Sequence, residues 1–165
     1  MNFLLDGMLG KLTRWLRMMG HDAKYSTADD VELLENAKKE ARVLLTRDLA
    51  LYQQATARGV EVYYVEGKTE PERLAELSMR FQLPIEIDLK QSRCPKCNTK
   101  LATASKQEIV NQVQKNTFAH YDAFWRCPNC GTVYWQGAHW TNIEATLKEA
   151  KQKREKQKEP DFRLP

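Results

Sequence analysis

Two short apolar runs each deliver an aspartate at their end: Phe3-Leu4-Leu5 into Asp6, and Val43-Leu44-Leu45-Thr46 into Asp48. As parallel strands of one sheet they bring both carboxylates to its carboxyl edge, where open α/β folds bind ligands. Converging carboxylates repel one another unless a cation sits between them. The pattern therefore predicts a divalent-metal site and, with it, phosphodiester chemistry.

From residue 1 to about 88 the chain alternates short β-like runs with helix-like segments, the pattern of a parallel sheet with crossover helices. The first strand spans about Asn2 to Leu5. Met8, Leu9, Leu12, Trp15, Leu16 and Met19 then recur at helical spacing, with Lys11, Arg14 and Arg17 on the other side and Gly20 as the C-cap. Asp22 to Tyr25 makes a short second strand. A helix follows from about Asp29 to Glu40, opened by Asp29 and Glu32, with Val31, Leu34, Ala37 and Ala41 as its buried stripe. The third strand, Arg42 to Thr46, passes into a helix over Leu49 to Ala57, and Val60 to Val65 supplies a fourth strand. A helix from Glu70 to Phe81 has Pro71 in its first turn and Leu74, Leu77 and Phe81 facing in. Pro84 ends it, and residues 85 to 93 read as a short strand and linker.

All the cysteines lie beyond that linker, as Cys94-Pro-Lys-Cys97 and Cys127-Pro-Asn-Cys130. Each pair resembles a zinc knuckle: two intervening residues let both sulfurs point at one metal, and two such turns complete a tetrahedral thiolate shell. Asn98 and Gly131, directly after the second cysteine of each pair, suit the tight turn this requires. The 29 residues between the pairs imply an inserted hairpin or helix near Gln107 to Lys115. A disulfide pair or a redox motif is the competing reading, and a cytoplasmic setting disfavours the first while duplication of the pair disfavours the second. A four-thiolate site is closed, so the expected zinc is structural.

No apolar run approaches the roughly 20 residues that span a bilayer. The amino terminus, interrupted by Asp6 and Lys11, has no signal-peptide layout. With 42% hydrophobic and 29% charged residues the chain falls among globular proteins rather than disordered or membrane ones. The expectation is a cytoplasmic protein with no membrane partner. Its 165 residues suit one domain with a small appendage: residues 1–90, then 91–142 around the cysteines, then a basic helical or flexible tail over 143–165. Up to residue 90 there are 13 Lys and Arg against 15 Asp and Glu, and after it 13 against 7. A basic carboxyl half attracts a phosphate backbone without reading its sequence, which makes RNA or DNA the expected partner class.

In such a sheet Asp6, Asp48 and either Asp29 or Asp30 gather at one edge as oxygen ligands for Mg²⁺ or Mn²⁺, and a metal-bound water can attack a phosphodiester without a protein nucleophile. Lys11, Arg14, Arg17 and Arg47 are available to neutralise flanking phosphates. A purely structural account competes, because Asp29 and Asp48 each precede a helix and suit an N-cap. Asp6, after a buried strand and before Gly7, has no such need. Beyond the last cysteine, Tyr134 and Trp135 read as the core of a small zinc module, whereas His139 is a candidate for contact with phosphate and Trp140 for stacking on an unpaired base.

The segment Phe3-Leu4-Leu5-Asp6-Gly7-Met8-Leu9-Gly10-Lys11-Leu12, followed by Arg14-Trp15-Leu16-Arg17, Gly20-His21-Asp22 and Leu45-Thr46-Arg47-Asp48, resembles the PIN-like ribonuclease family named for the carboxyl-terminal domain of the Mut-seven exonuclease. The two Cys-Pro-x-Cys pairs and the Tyr134-Trp135-x-Gly137-x-His139 stretch resemble that family's zinc-ribbon appendage, so the likeness spans about residues 2 to 142. It implies an α/β, PIN-like parallel sheet flanked by helices, a small carboxyl-terminal zinc ribbon, and metal-dependent cleavage of RNA. It also implies Asp6 and Asp48 as acids, with Asp30 or its neighbour Asp29 as the acid opening the second helix, and Glu66 as a candidate fourth. Thr13 stands where the family usually has alanine, and Ala138 where it usually has serine. The other class to test is a noncatalytic RNA-binding or ribosome-associated adaptor on the same platform. A haloacid-dehalogenase phosphatase needs an aspartate two residues after the first, where Met8 stands, and a receiver domain needs an acidic pair where Asp6 stands alone.

Overall fold

The computed structural model describes residues 1 to 158; residues 159–165, the end of the tail expected over 143–165, lie outside the described residues. Among the described residues, four strands form one parallel sheet: β1 (Asn2–Leu5), β2 (Asp22–Tyr25), β3 (Val43–Thr46) and β4 (Val62–Tyr64), in the order β2-β1-β3-β4. Four helices alternate with them: α1 (Gly10–Met18), α2 (Asp30–Lys39), α3 (Leu49–Ala57) and α4 (Glu70–Phe81). The central strands carry apolar side chains to both faces, so both faces must be covered. Phe3, Leu5, Val43 and Leu45 lie under Leu12 and Leu16 of α1 and Leu74 and Leu77 of α4. On the other face Leu4 and Leu44 lie under Leu33, Leu34 and Ala37 of α2 and Leu51 and Ala55 of α3. The result is a sheet sandwiched between two helix layers.

The chain visits β2 on one side of β1 and then crosses to β3 on the other, so the strand order reverses between β1 and β3. At such a switch point the outgoing helices leave toward opposite faces and open a crevice outside the carboxyl ends of the two strands. Asp6 and Asp48 follow those strands. Local chemistry fixes where the helices start: Asp29 accepts from the Glu32 amide (2.9 Å), Asp48 from the Leu51 amide (3.2 Å), and Thr69 with Glu72 forms a capping box on α4.

Three details depart from the expected pattern. α2 buries Leu33, Leu34 and Ala37, while Val31 is 50% exposed and Ala41 lies past the helix in a left-handed turn (φ 51°). The Leu33-Leu34 pair sets the buried face, and at about 100° per residue Val31 falls to its side. Met8 is likewise 62% exposed, in the turn before α1. Residues 85 to 92 form no strand; Ile85 and Ile87 dock as an extended segment on the core, so their alternation is met by packing rather than by a ladder.

The ribbon is a three-stranded antiparallel sheet of β5 (Ala102–Ala104), β6 (Phe124–Arg126) and β7 (Val133–Tyr134), with short helices α5 (Lys106–Ile109) and α6 (Lys115–His120) inserted between β5 and β6. The last helix, α7 (Trp140–Lys158), returns to the sheet domain, where Leu147 and Ala150 join the core beside α4 and Ile143 packs at its margin. Arg154 extends that stripe by donating to Ser78 Oγ of α4 (3.3 Å).

At the amino end of the sheet a buried network joins the two parts. Arg42, 8% exposed, donates to the Phe3 carbonyl (3.2 Å), to both carboxylate oxygens of Asp22 (2.8 and 3.2 Å) and to Glu40 (2.7 Å). Asn98 of the first knuckle donates to Asp22 Oδ1 (2.7 Å) and accepts the Ala23 amide (3.1 Å). β2 is an edge strand, so the Asn98 side chain takes the place of a neighbouring strand at that amide. Burial pushes the Asp22 carboxyl up, but the bonds from Arg42 and Asn98, with Arg93 nearby, outweigh it and hold the group below the ordinary carboxylate range. Its stabilising contribution is therefore present above the unfolded pKa of about 4 and disappears as pH falls through the lower folded value. Asp22→Ala is expected to cost about 2 kcal/mol in urea unfolding at neutral pH, below the ~3–5 kcal/mol of a fully buried pair because 24% of the Asp22 side chain is exposed. The same variant is expected to lose part of the acid dependence of stability.

Candidate functional site

β1 and β3 pair with Leu5 opposite Leu45, which sets Asp6 beside Thr46 where the strands leave the sheet. The Thr46 hydroxyl is fully buried; it donates to Asp6 Oδ2 and accepts from the Asp48 amide (2.9 Å). One hydroxyl thus ties the Asp6 carboxylate to the main chain of Asp48, which the sequence places far away. Asp6 itself is 6% exposed, and its Oδ1 accepts from the Met8 amide (3.2 Å). Asp48 keeps its Oδ1 on the first turn of α3 while its side chain remains half-buried.

The neighbouring acids differ in what they face. Asp29 is exposed and serves as the cap of its own helix, whereas Asp30 is half-buried and turned toward α3, with Oδ2 3.4 Å from Gln54 Nε2. Glu66 is exposed just beyond β4, and its amide donates to Glu76 (3.1 Å). Among the described residues, no three carboxylates bring oxygens within 4.8 Å of one another.

The basic residues divide into pegs and free cations. Arg47 donates to the carbonyls of Val65 (3.2 Å), Glu66 (3.0 Å) and Gly67, which pins the loop after β4 against the loop after β3. Arg17 donates to the Ala23 carbonyl (2.8 Å) and to the Pro95 carbonyl (2.9 Å), fastening α1 to β2 and to the first knuckle. Lys11 and Arg14 are exposed and enter no salt bridge among the described residues. His139 is exposed and Trp140 half-buried, both on the ribbon side and away from the acids.

One acid at this edge escaped the sequence reading. Glu70, the first residue of α4, pairs through Oε1 with Arg73 (2.8 Å), while its Oε2 is buried without a hydrogen-bond partner. Burial raises its carboxyl above the ordinary range against the opposing pull of Arg73 and of Lys11 in the first turn of α1. A glutamate in the first turn of a helix is what favourable dipole interaction alone would put there, so nothing in the sequence sets it apart.

The four cysteines form a separate centre. Their sulfurs all lie within 4.8 Å of one another, with Cys94 to Cys130 at 3.6 Å and Cys97 to Cys127 at 3.3 Å. Zinc–thiolate bonds of about 2.3 Å in a tetrahedron put sulfurs about 3.8 Å apart, so the set fits a structural metal such as zinc. Both knuckles share one turn: the Cys94 and Cys127 amides donate to the Thr99 and Thr132 carbonyls (2.8 and 3.0 Å), and Asn98 (φ 71°) and Gly131 (φ 76°) take the left-handed positions. The Thr99 hydroxyl and backbone pull the Cys97 thiol down to about 5, Thr132 lowers Cys130, and burial pushes Cys127 up. The Tyr134 hydroxyl lies 3.1 Å from Cys94 Sγ and supports that ligand from outside the shell. Purified protein is expected to carry one zinc, lost in Cys97→Ser, and Tyr134→Phe is expected to weaken zinc about tenfold in competition with a chelator. An unchanged affinity in Tyr134→Phe would remove the tyrosine from any role at the metal.

Among the described residues no helix is long and apolar enough to cross a membrane. No curated protein and no solved structure matches the chain. A family model described as the Mut7-C RNAse domain matches residues 1–147, a span that holds the whole parallel sheet, the linked acids Asp6 and Asp48, the four cysteines and the start of α7. The chain belongs to the Mut7-C RNase domain family.

Proposed function

We propose that this protein is a metal-dependent ribonuclease that hydrolyses RNA phosphodiester bonds at the carboxyl edge of its parallel sheet. The observation that carries the reading is the buried Thr46 hydroxyl, which holds the Asp6 carboxylate against the backbone of Asp48 at the point where strand order reverses. The donors there are carboxylate oxygens, the ligands that Mg²⁺ and Mn²⁺ prefer. Mg²⁺ keeps several waters and needs only one or two carboxylates, so a tight cage of three is not required. Asp6 and Asp48 would hold the ion, with Asp30 rather than Asp29 as the third acid because Asp29 is taken up as the cap of its own helix, and with Glu66 and Glu70 as further acids of the edge. Such an ion supplies an acidified water and relieves charge on the leaving oxygen.

The chain's own residues do the positioning. Thr46 orients Asp6, Arg47 fixes the loop that carries Glu66, and Lys11 and Arg14 offer free cations to flanking phosphates. Met8, Tyr25 and Leu49 stay exposed beside the acids, an apolar rim on which bases can rest. The thiolate centre is closed, which suits a zinc that holds the ribbon together rather than one that does chemistry. Reduced cysteines gathered as metal ligands suit a cytoplasmic setting.

Single-stranded RNA incubated with Mn²⁺ is expected to be cut by the wild type. Asp6→Asn and Asp48→Asn, folded and zinc-loaded, are expected to cut it at least about a hundredfold more slowly, a loss of roughly 3 kcal/mol of transition-state stabilisation. Cleavage that survives both substitutions belongs to a contaminant and defeats the proposal. RNA bound tightly and left intact by the wild type with either ion would make the protein a noncatalytic adaptor instead.

A further inference from the structure

A second cavity opens where the ribbon meets the sheet domain. It encloses about 430 Å³, and Tyr121, Tyr134, Trp135 and Trp140 give it aromatic walls, with Arg93 and His139 among the polar groups around it. The Arg93 Nε is buried and has no hydrogen-bond partner. Gly137 leaves room for the Trp135 indole, since a Cβ there would stand 2.7 Å from Trp135 Nε1. A second hollow lies between the chamber and the turn after Asp6. Pro95 lines both the chamber and an open cleft of about 490 Å³ between α1 and β2, bordered by Gly10, Lys11, Arg14, Tyr25 and Lys96. Tyr25, 42% exposed, holds the upper end of this cleft by donating to the Gly7 carbonyl (2.9 Å), directly after Asp6. Lys11, Arg14 and Lys96 enter no salt bridge among the described residues.

We propose that the chamber seats one unpaired base of a single-stranded RNA whose backbone lies in the cleft between α1 and β2, on its way to the acids. The proposal rests on the ribonuclease reading of the carboxyl edge and names the form of its substrate. Aromatic faces stack on any base, and a groove of cations tracks the backbone that carries it. An apolar peptide would also fill the chamber, but it has no use for the row of unpaired cations that leads there, and a polyanion does. The nine residues of α1 span about 13 Å, or about four nucleotides at the stacked spacing of about 3.4 Å. The seated base is therefore within about four nucleotides of the phosphate that is cut, and its position rather than its identity is what the site reads.

The test uses the full-length, zinc-loaded protein without Mg²⁺ or Mn²⁺, and a labelled oligoribonucleotide of about 12 nucleotides in which a single abasic site is walked along the strand. One abasic position, within about four nucleotides of the cut mapped separately with Mn²⁺, is expected to weaken binding roughly ten- to a hundredfold, and the others far less. Trp140→Leu keeps the apolar bulk, loses the stacking face, and is expected to show the same loss without adding to it at that abasic position; Trp140→Phe is expected to recover most of it. Lys11→Gln and Lys96→Gln are each expected to lower the slope of log affinity against log salt by about 0.7. Equal effects at every abasic position, or wild-type binding by a folded Trp140→Leu, would overturn the proposal. If Trp140→Leu does not fold, Tyr121→Leu reads another aromatic wall by the same criterion. Position-specific binding without any cleavage supports the base site while removing the ribonuclease reading, and cleavage without position-specific binding does the reverse.

Discussion

The outward amide of Ala23, on the open edge of β2, is satisfied by the side chain of Asn98, and the placement of the first knuckle against the sheet follows from that one bond and its neighbours. An edge strand presents unpaired backbone groups that invite another chain. Here the ribbon and α1 answer them: Asn98 takes the Ala23 amide, Arg17 of α1 takes the Ala23 carbonyl and passes on to Pro95, and the Arg93 amide donates to the Arg17 carbonyl (2.8 Å). Beneath them the buried guanidinium of Arg42 anchors Asp22 to β1 and β3. Each hydrogen bond is worth only about 1 kcal/mol net. Several in one small patch, tied to a buried charge that would be costly to leave unpaired, hold the ribbon in one orientation rather than on a loose tether. Without that orientation neither the cleft along α1 nor the aromatic chamber would have its second wall.

The two ends of the sheet thus do different work. At the carboxyl end, the switch in strand order opens a crevice, and one threonine ties the Asp6 carboxylate to the Asp48 amide beside it. At the amino end, the ionic network fastens the four-cysteine ribbon. α1 runs from one end to the other, and its outer face carries Lys11 and Arg14 as free cations near the acids and Arg17 as a structural peg near the ribbon. The gradient from free to engaged cations along one helix follows the distance from the open edge, where solvent and ligand compete with protein acceptors.

Much of this was legible in the sequence wherever a local rule decides. The bounds of α3 and α4 follow from their caps and periodicity, and the cysteine pairs announce their turn by spacing alone. Asp6 and Asp48 were legible because they follow the two apolar runs that become neighbouring strands. What escaped depends on contacts between segments remote in sequence. By sequence Asn98 stands out for its backbone turn and not for a side chain that completes the edge of β2, and Arg47 and Arg17 stand out as free cations although carbonyls from other loops claim them. The stripe of Ile143, Leu147 and Ala150 on α7 is thin among lysines and glutamates, so its docking on α4 shows only once α4 is in place.

That same remoteness separates chemistry from recognition. The acids and Thr46 come from two strands of the core, where packing leaves their positions little freedom, whereas the aromatic walls come from the ribbon and the first turn of α7. Phosphate contacts position a nucleic acid, and contacts to bases discriminate. On the proposed reading, in which the sheet edge reacts and the ribbon seats a base, substrate preference can change through the ribbon without disturbing the acids. The Tyr134 hydroxyl against Cys94 makes one chamber wall answer directly to the four-cysteine centre, so a metal held there and the shape of the chamber would be coupled.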